Sequence, residues 1–199
     1  MHEVSSLWIG KKLSPINIIS INSFLHNSYK YNLYVYEDIE NIPNGVNVLD
    51  GNDILPDSAI WYYGKGFNKG SPSSFSNEFR YTLLYKNGGL WVDTDVVLLK
   101  KLKLNNEFIF ISEMNNGKQQ VTTSVIYSKD SKQNIFKDCI DEIENVDKNS
   151  IRHGDIGPVL FDYKVREYDF MKYVRPIKEF SFINWDETYK FVDDSVINE

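Results

Sequence analysis

Asp93 and Asp95 flank Thr94 directly after the apolar run Leu90, Trp91 and Val92. Side chains alternate faces along a strand, so a strand reaching residue 95 points both carboxylates the same way. Two converging carboxylates suit a hard divalent cation, Mg²⁺ or Mn²⁺. A cation held there suits a diphosphate, whose charge it neutralises as the group leaves. A D-x-D pair often arises by chance on a surface turn. Here an apolar strand precedes it, and ligands of open α/β sheets bind beyond the carboxyl ends of strands. Metal binding is therefore the stronger expectation. One carboxylate would ligate the ion, and the other would hold a ligating water or a ribose hydroxyl.

The elements around this pair must position it. A helix is predicted from Ser76, with Asn77 and Glu78 in its first turn and Phe75, Phe79 and Leu83 along one face. Glu78 suits the positive helix N-terminus. Gly88 is expected in a left-handed C′ position and Gly89 in a tight turn into the strand. Arg80 lies one turn into this helix. Its guanidinium could bridge phosphate and sugar oxygens, or it could pair with Glu78 or one of the aspartates; taken alone, the ion pair is the stronger reading. Trp8, at the end of the first strand, could stack on a base, although a core tryptophan is the commoner outcome.

Composition bounds the rest. The chain has 199 residues, 42% hydrophobic and 25% charged, enough for one domain with its own core. A formal charge of −6 argues against nucleic acid as the main partner and weakly against a strongly basic membrane anchor. The single cysteine, Cys139, cannot form an internal disulfide. With neither a signal-peptide pattern nor an apolar run of membrane-spanning length, the expectation is a cytoplasmic protein with at most peripheral membrane contact.

Strands are predicted at Val4–Ile9, Tyr31–Tyr36, Val46–Leu49, Phe108–Ser112, Thr122–Tyr127 and Val174–Phe182, with Val96–Leu99 continuing past the acidic pair. Ser14-Pro15 reads as a helix start, serine as N-cap and proline at the first position. Asp38–Pro43 reads as a polar break with up to one helical turn, and Asn52–Leu55 as a short helix. Residues 64–74 and Asn115–Gln120 read as loops. Ile135–Val146 reads as a helix, and Gly154 and Gly157-Pro158 as a turn before another. Strands alternating with helices predict an α/β domain with a mixed central sheet.

S-N-E-F-R-Y-x-L-L-Y-x-x-G-G-L-W-V-D-T-D-V, residues 76–96, resembles the donor-site motif of DXD-containing glycosyltransferases of GT-A (Rossmann-like) fold, including capsular-polysaccharide and α-1,4-glycosyltransferase-like enzymes. S-L-W-I-G, L-Y-V-Y-E-D-I, H-G-D-I-G-P-V-L and F-S-F-I-N-W resemble other segments of that family, so the likeness spans most of the chain. The resemblance implies a single nucleotide-diphospho-sugar transferase domain over residues 1–199. It implies retaining transfer from a nucleotide sugar, usually a UDP-sugar, with Mn²⁺ (or Mg²⁺), to a glycan or glycolipid in surface polysaccharide synthesis.

By the same resemblance Trp8 would stack on uracil, Arg80 would contact donor sugar or phosphate, and Asp93 would hold ribose and a metal-bound water. Asp95 would bind the metal directly, and Asp155 would face donor sugar or acceptor. Asn77 stands where the family commonly has aspartate; its amide could still hydrogen-bond a sugar hydroxyl. A His-x-Trp-Asn-like closing segment usual in the family is not found in the sequence. Two alternatives stay open at this level. One is a haloacid-dehalogenase-like phosphatase using Asp93 as nucleophile; the other is a non-catalytic nucleotide-sugar-binding remnant.

Overall fold

A computed structural model describes residues 2–64, 66, 68–181, 183, 184, 187 and 190. Six strands form one sheet: β1 (His2–Trp8), β2 (Tyr29–Val35), β3 (Val46–Asp50), β4 (Gly89–Val92), β5 (Phe108–Asn115) and β6 (Lys118–Ser128), in the order β3-β2-β1-β4-β6-β5. β1 pairs in parallel with both β2 and β4, and β2 with β3, whereas β6 runs antiparallel to β4 and β5. The mixed sheet and its strand order are those of a GT-A (Rossmann-like) nucleotide-sugar domain.

On the first face the main cover among the described residues is one long helix. α1 (Pro15–His26) starts with a reciprocal cap in which the Asn17 backbone N–H donates to Ser14 Oγ and the Ser14 N–H donates to Asn17 Oδ1 at 2.9 Å. Pro15 occupies the first turn, where its missing N–H costs nothing. Ile21 and Phe24 pack on Val4, Tyr31, Leu33 and Val92. The opposite face carries α2 (Ser73–Asn87), α3 (Asn134–Glu144) and α4 (Leu160–Glu167). Phe79, Phe136, Cys139 and Phe161 from these helices meet Trp91, Phe108, Phe110 and Ile126 from the sheet. Each such aromatic, fully buried, contributes about 1.5–3 kcal/mol by leaving water.

Several expectations change in detail. α2 begins at Ser73, one turn before Ser76, whose N–H already donates to the Pro72 carbonyl at 3.0 Å. Glu78 therefore lies beyond the first turn, and its Oε2 accepts instead from Trp61 Nε1 at 2.8 Å and Lys148 Nζ at 3.1 Å. Gly88 ends α2 at φ 66°, ψ −153°, outside the left-handed helical region. A Cβ there would lie 2.9 Å from the Asp130 carbonyl carbon, so both its conformation and its surroundings require glycine.

Val96–Leu99 forms no strand, because side chains of α1 take the hydrogen bonds a neighbouring strand would have supplied. Val174–Phe182 is not a strand either. Val174 makes one bridge to Phe110, Pro176 then removes a donor, and α5 (Ile177–Phe180) follows; Phe182 lies outside the described residues. Asn115–Gln120 tightens to a two-residue hairpin turn. Asn116 and Gly117 take φ 49° and 74° there, the positive pair that strand twist favours. Asp38–Pro43 contains no helical turn, and the expected helix at Asn52–Leu55 is a 3₁₀ turn at Gly51–Asp53. Gly154 caps a π-helical turn over Asp155–Val159, and Gly157 lies inside it with non-helical dihedrals.

Candidate active site

Both aspartates lie just beyond the carboxyl end of β4, where the strand gives way to a turn. The Asp93 N–H keeps the ladder with β6 by donating to the Ser124 carbonyl at 2.8 Å, and the Val96 N–H then donates back to the Asp93 carbonyl at 3.1 Å. The pair is thus presented by a turn, and strand alternation does not extend through Asp95. Ser6 Oγ caps the last β4 carbonyl, that of Val92, at 2.6 Å, and also meets the Tyr31 hydroxyl at 2.7 Å.

Asp93 is held from the α2 side. Its Oδ1 accepts from Arg80 Nη2 at 2.9 Å and from Trp91 Nε1 at 3.0 Å. Arg80 itself is only 4% exposed. Its remaining contacts run to the Ser76 carbonyl (Nε, 3.3 Å), Ser76 Oγ (Nη2, 3.2 Å) and the Thr123 carbonyl (Nη1, 2.7 Å), and the guanidinium lies 5.1 Å from the Trp91 ring centre. Four of the five guanidinium N–H groups are thus engaged, leaving one on Nη1. Burial raises the Asp93 carboxyl above the ordinary carboxylate range; Arg80 opposes this, Asp95 reinforces it, and the Trp91 bond opposes it. The Tyr31 hydroxyl beneath is pushed up chiefly by burial, resisted by its Ser6 bond and reinforced by the charges of Asp93 and Asp95.

Asp95 is exposed, and its carboxylate has no hydrogen-bond or ion-pair partner among the described residues. Asp93 Oδ2 is likewise uncommitted. Among the described residues no third His, Cys, Asp or Glu joins them as a ligand cluster. An all-oxygen, two-carboxylate set fits Mg²⁺ or Mn²⁺, which keep several waters and take substrate phosphate oxygens. It does not fit a closed structural metal site.

The other expected residues, Trp8, Asn77 and Asp155, sit on β1, α2 and the 155–159 turn. Trp8 ends β1 half-buried, with Nε1 buried and without a hydrogen-bond partner among the described residues. The β1–β4 register sets Val4 opposite Leu90 and Ser5 opposite Trp91. Asn77 is buried on α2, where its Nδ2 donates to the Ser73 carbonyl at 3.2 Å and its Oδ1 accepts from Thr123 Oγ1 at 3.4 Å. Gly157 packs on that amide so closely that a Cβ would lie 2.9 Å from Asn77 Oδ1. Asp155 is exposed, and its Oδ2 accepts from the Arg152 N–H at 2.8 Å. It lines a separate cavity of about 300 Å³ with Glu142, Asp147 and Ser150.

A set of positioning residues on α1 escaped sequence reasoning. Asn17 Nδ2 donates to the Thr94 carbonyl at 3.1 Å and to Thr94 Oγ1 at 3.2 Å. Ser20 Oγ donates to the Val96 carbonyl at 2.5 Å, Ser23 Oγ accepts from the Leu98 N–H at 2.8 Å, and Asn27 Nδ2 reaches the Leu98 carbonyl at 3.3 Å. Positions 17, 20, 23 and 27 recur at helical spacing, so the polar stripe was visible in the sequence, although its target was not.

The parallel strands, the antiparallel β6 beside β4 and the acidic turn at their carboxyl edge define a nucleotide-diphospho-sugar transferase domain. Residues 17–122 match the family described as "Glycosyltransferase sugar-binding region containing DXD motif", and the chain belongs to that family of glycosyltransferases. No curated protein matches the chain. Among solved structures it is similar to "PaToxG Glycosyltransferase", with TM-score 0.58 and 15% identity over 83% of this chain and 69% of that one. It is also similar to the structure of a transferase mutant with two cysteines replaced by serine, with TM-score 0.54 and 9% identity over 92% of both chains. At these identities the likeness is one of fold.

Proposed function

We propose that this chain is a metal-dependent, retaining hexosyltransferase that moves a sugar from a UDP-sugar to a hydroxyl of a glycan or glycolipid in surface polysaccharide synthesis, acting as a single domain over residues 1–199. The observation that carries the reading is the free Asp95 carboxylate beside an Asp93 fixed by Arg80 and Trp91 at the sheet edge. Asp95 would ligate Mn²⁺ or Mg²⁺ directly, and the open Oδ2 of Asp93 would take a ligating water or a ribose hydroxyl. The bound cation supplies charge neutralisation for the departing diphosphate.

Trp8 would lie under the uracil. Arg80 serves mainly as a positioning residue, because its contacts hold Asp93 in place; its one remaining N–H is the group that could meet a donor oxygen. Asn77 supports Thr123 and Gly157 behind the donor sugar, and Asp155 would face the sugar or acceptor from the 154–157 turn. In the transfer, the bond between the anomeric carbon and the phosphate oxygen breaks and UDP leaves with the electron pair. The acceptor oxygen bonds the same carbon from the same face, and its proton passes to the departing phosphate. Preorganised charge at the leaving group is the term that usually dominates.

The phosphatase alternative gains no support here. Asp93, its required nucleophile, is bound by Arg80 and Trp91, and family membership accounts for the motif. The test is calorimetry of UDP with Mn²⁺ on the Asp95→Ala chain. Cation-dependent binding and donor hydrolysis are expected to vanish without a change in unfolding temperature, since Asp95 has no partner to lose. Binding that survives unchanged would refute the assignment.

A further inference from the structure

Beyond the acidic turn the chain reads Val97-Leu-Leu-Lys-Lys-Leu-Lys103. Leu98 is buried, and the Leu102 N–H is tied to the Tyr29 hydroxyl at 3.2 Å. Between these two anchors Leu99, Lys100 and Lys101 project outward, and Leu99 is 90% exposed. Lys103 follows, also exposed. None of these three lysines meets a carboxylate among the described residues.

The neighbouring helix extends the surface. Ile16 and Ile19 of α1 are 47% and 54% exposed. They lie four residues before Ser20 and Ser23, hence on the same flank of α1, and those serines grip Val96 and Leu98. Val97, 39% exposed, lies between Val96 and Leu98, the two residues those serines hold. Four outward aliphatic side chains therefore share one surface with three unpaired lysines.

We propose that this surface docks on an anionic lipid bilayer. The occupant follows from charge. The chain as a whole carries −6 and is repelled by such a bilayer, so contact requires a local cationic cluster. Here that cluster coincides with the exposed aliphatic residues, the pairing of basic and apolar signals that interfacial anchoring needs. Asn17, next to Ile16, bonds Thr94, so docking would bring the acidic turn close to the bilayer plane. The inference stands on the surface alone and does not require the transferase reading.

Vesicle co-sedimentation of the full chain tests it, with phosphatidylcholine vesicles against vesicles holding one-third phosphatidylglycerol. Binding is expected to the anionic vesicles only and to weaken with added salt. Lys100→Glu/Lys101→Glu should weaken it by at least tenfold, at roughly fivefold for each lysine lost. Leu99→Asp should weaken it similarly, with unfolding temperature unchanged in both variants. Equal binding to neutral vesicles, no binding to either, or binding indifferent to both variants overturns the proposal. So does a concentration-dependent dimer that Leu99→Asp abolishes, which would make a second copy the occupant.

Discussion

Replacing Arg80 by Met tests whether the site is preorganised from beneath. Methionine fills the volume but removes every donor. Removing one partner of a buried ion pair costs about 3–5 kcal/mol. The Asp93 side chain retains 30% of its exposure, so water can reach the orphaned carboxylate, and the cost is discounted below that range to about 2–3 kcal/mol. The Thr123 carbonyl also loses its 2.7 Å donor, adding about 1 kcal/mol. A loss of roughly 3–4 kcal/mol lowers the melting temperature of a chain this size by about 6–15 °C. Asp93→Asn keeps an acceptor at Oδ1 for both Arg80 and Trp91 but removes the counter-charge of Arg80, which keeps its bonds to Ser76 and Thr123, and should cost about 1–2 kcal/mol. The assay is urea and thermal unfolding of both single variants and the double variant, analysed as a cycle. An Arg80→Met drop below about 2 °C would refute the account of Arg80 as the clamp on Asp93. Equal costs for the two single variants would do the same.

Other outcomes follow from neighbouring contacts. Asn17→Ala removes two bonds to Thr94 and half of the α1 capping box, so a stability loss of about 1–2 kcal/mol by urea unfolding is expected. Calorimetry should also show several-fold weaker Mn²⁺-dependent UDP binding in this variant. Gly157→Ala drives a Cβ into the Asn77 amide and should cost about 1–3 kcal/mol in thermal unfolding. If the close approach is the cause, Asn77→Ala added to it should recover part of that loss. Gly88→Ala meets both a forbidden backbone conformation and the Asp130 carbonyl, and should leave little folded protein by circular dichroism. The Cys139 thiol is buried and pushed well above its ordinary pKa by that burial. Its labelling by a thiol reagent should therefore track global unfolding and be negligible in native buffer.

Much of the architecture was legible because periodicity and punctuation agreed. Ser14-Pro15 and Gly88-Gly89 marked helix boundaries through chemistry local to the chain, and the helix-strand-aspartate run placed the site at a strand end. What escaped depended on distant partners. Val96–Leu99 has the composition of a strand, but its backbone bonds go to Ser20, Ser23 and Asn27 of α1. Val174–Phe182 is rich in strand formers, yet Pro176 interrupts it, and the interruption outweighs propensity. The Asn116-Gly117 pair was a hairpin signal read too loosely. At the site, the carboxylates were visible in the sequence, but the burial of Arg80 and Asn77 was not. Which donors a side chain meets is decided by tertiary packing.

The polar stripe of α1 has a consequence for anyone redesigning this protein. By the usual rules of helix design, burying Asn17 and Ser20 while exposing Ile16 and Ile19 looks like an error to be repaired. Repainting the helix with leucine inside and lysine outside would raise its intrinsic propensity. It would also strand the carbonyls of Thr94 and Val96 and the amide of Leu98, freeing the acidic turn from the scaffold that aims it. An optimised α1 would yield a sturdier helix beneath a less firmly held acidic turn.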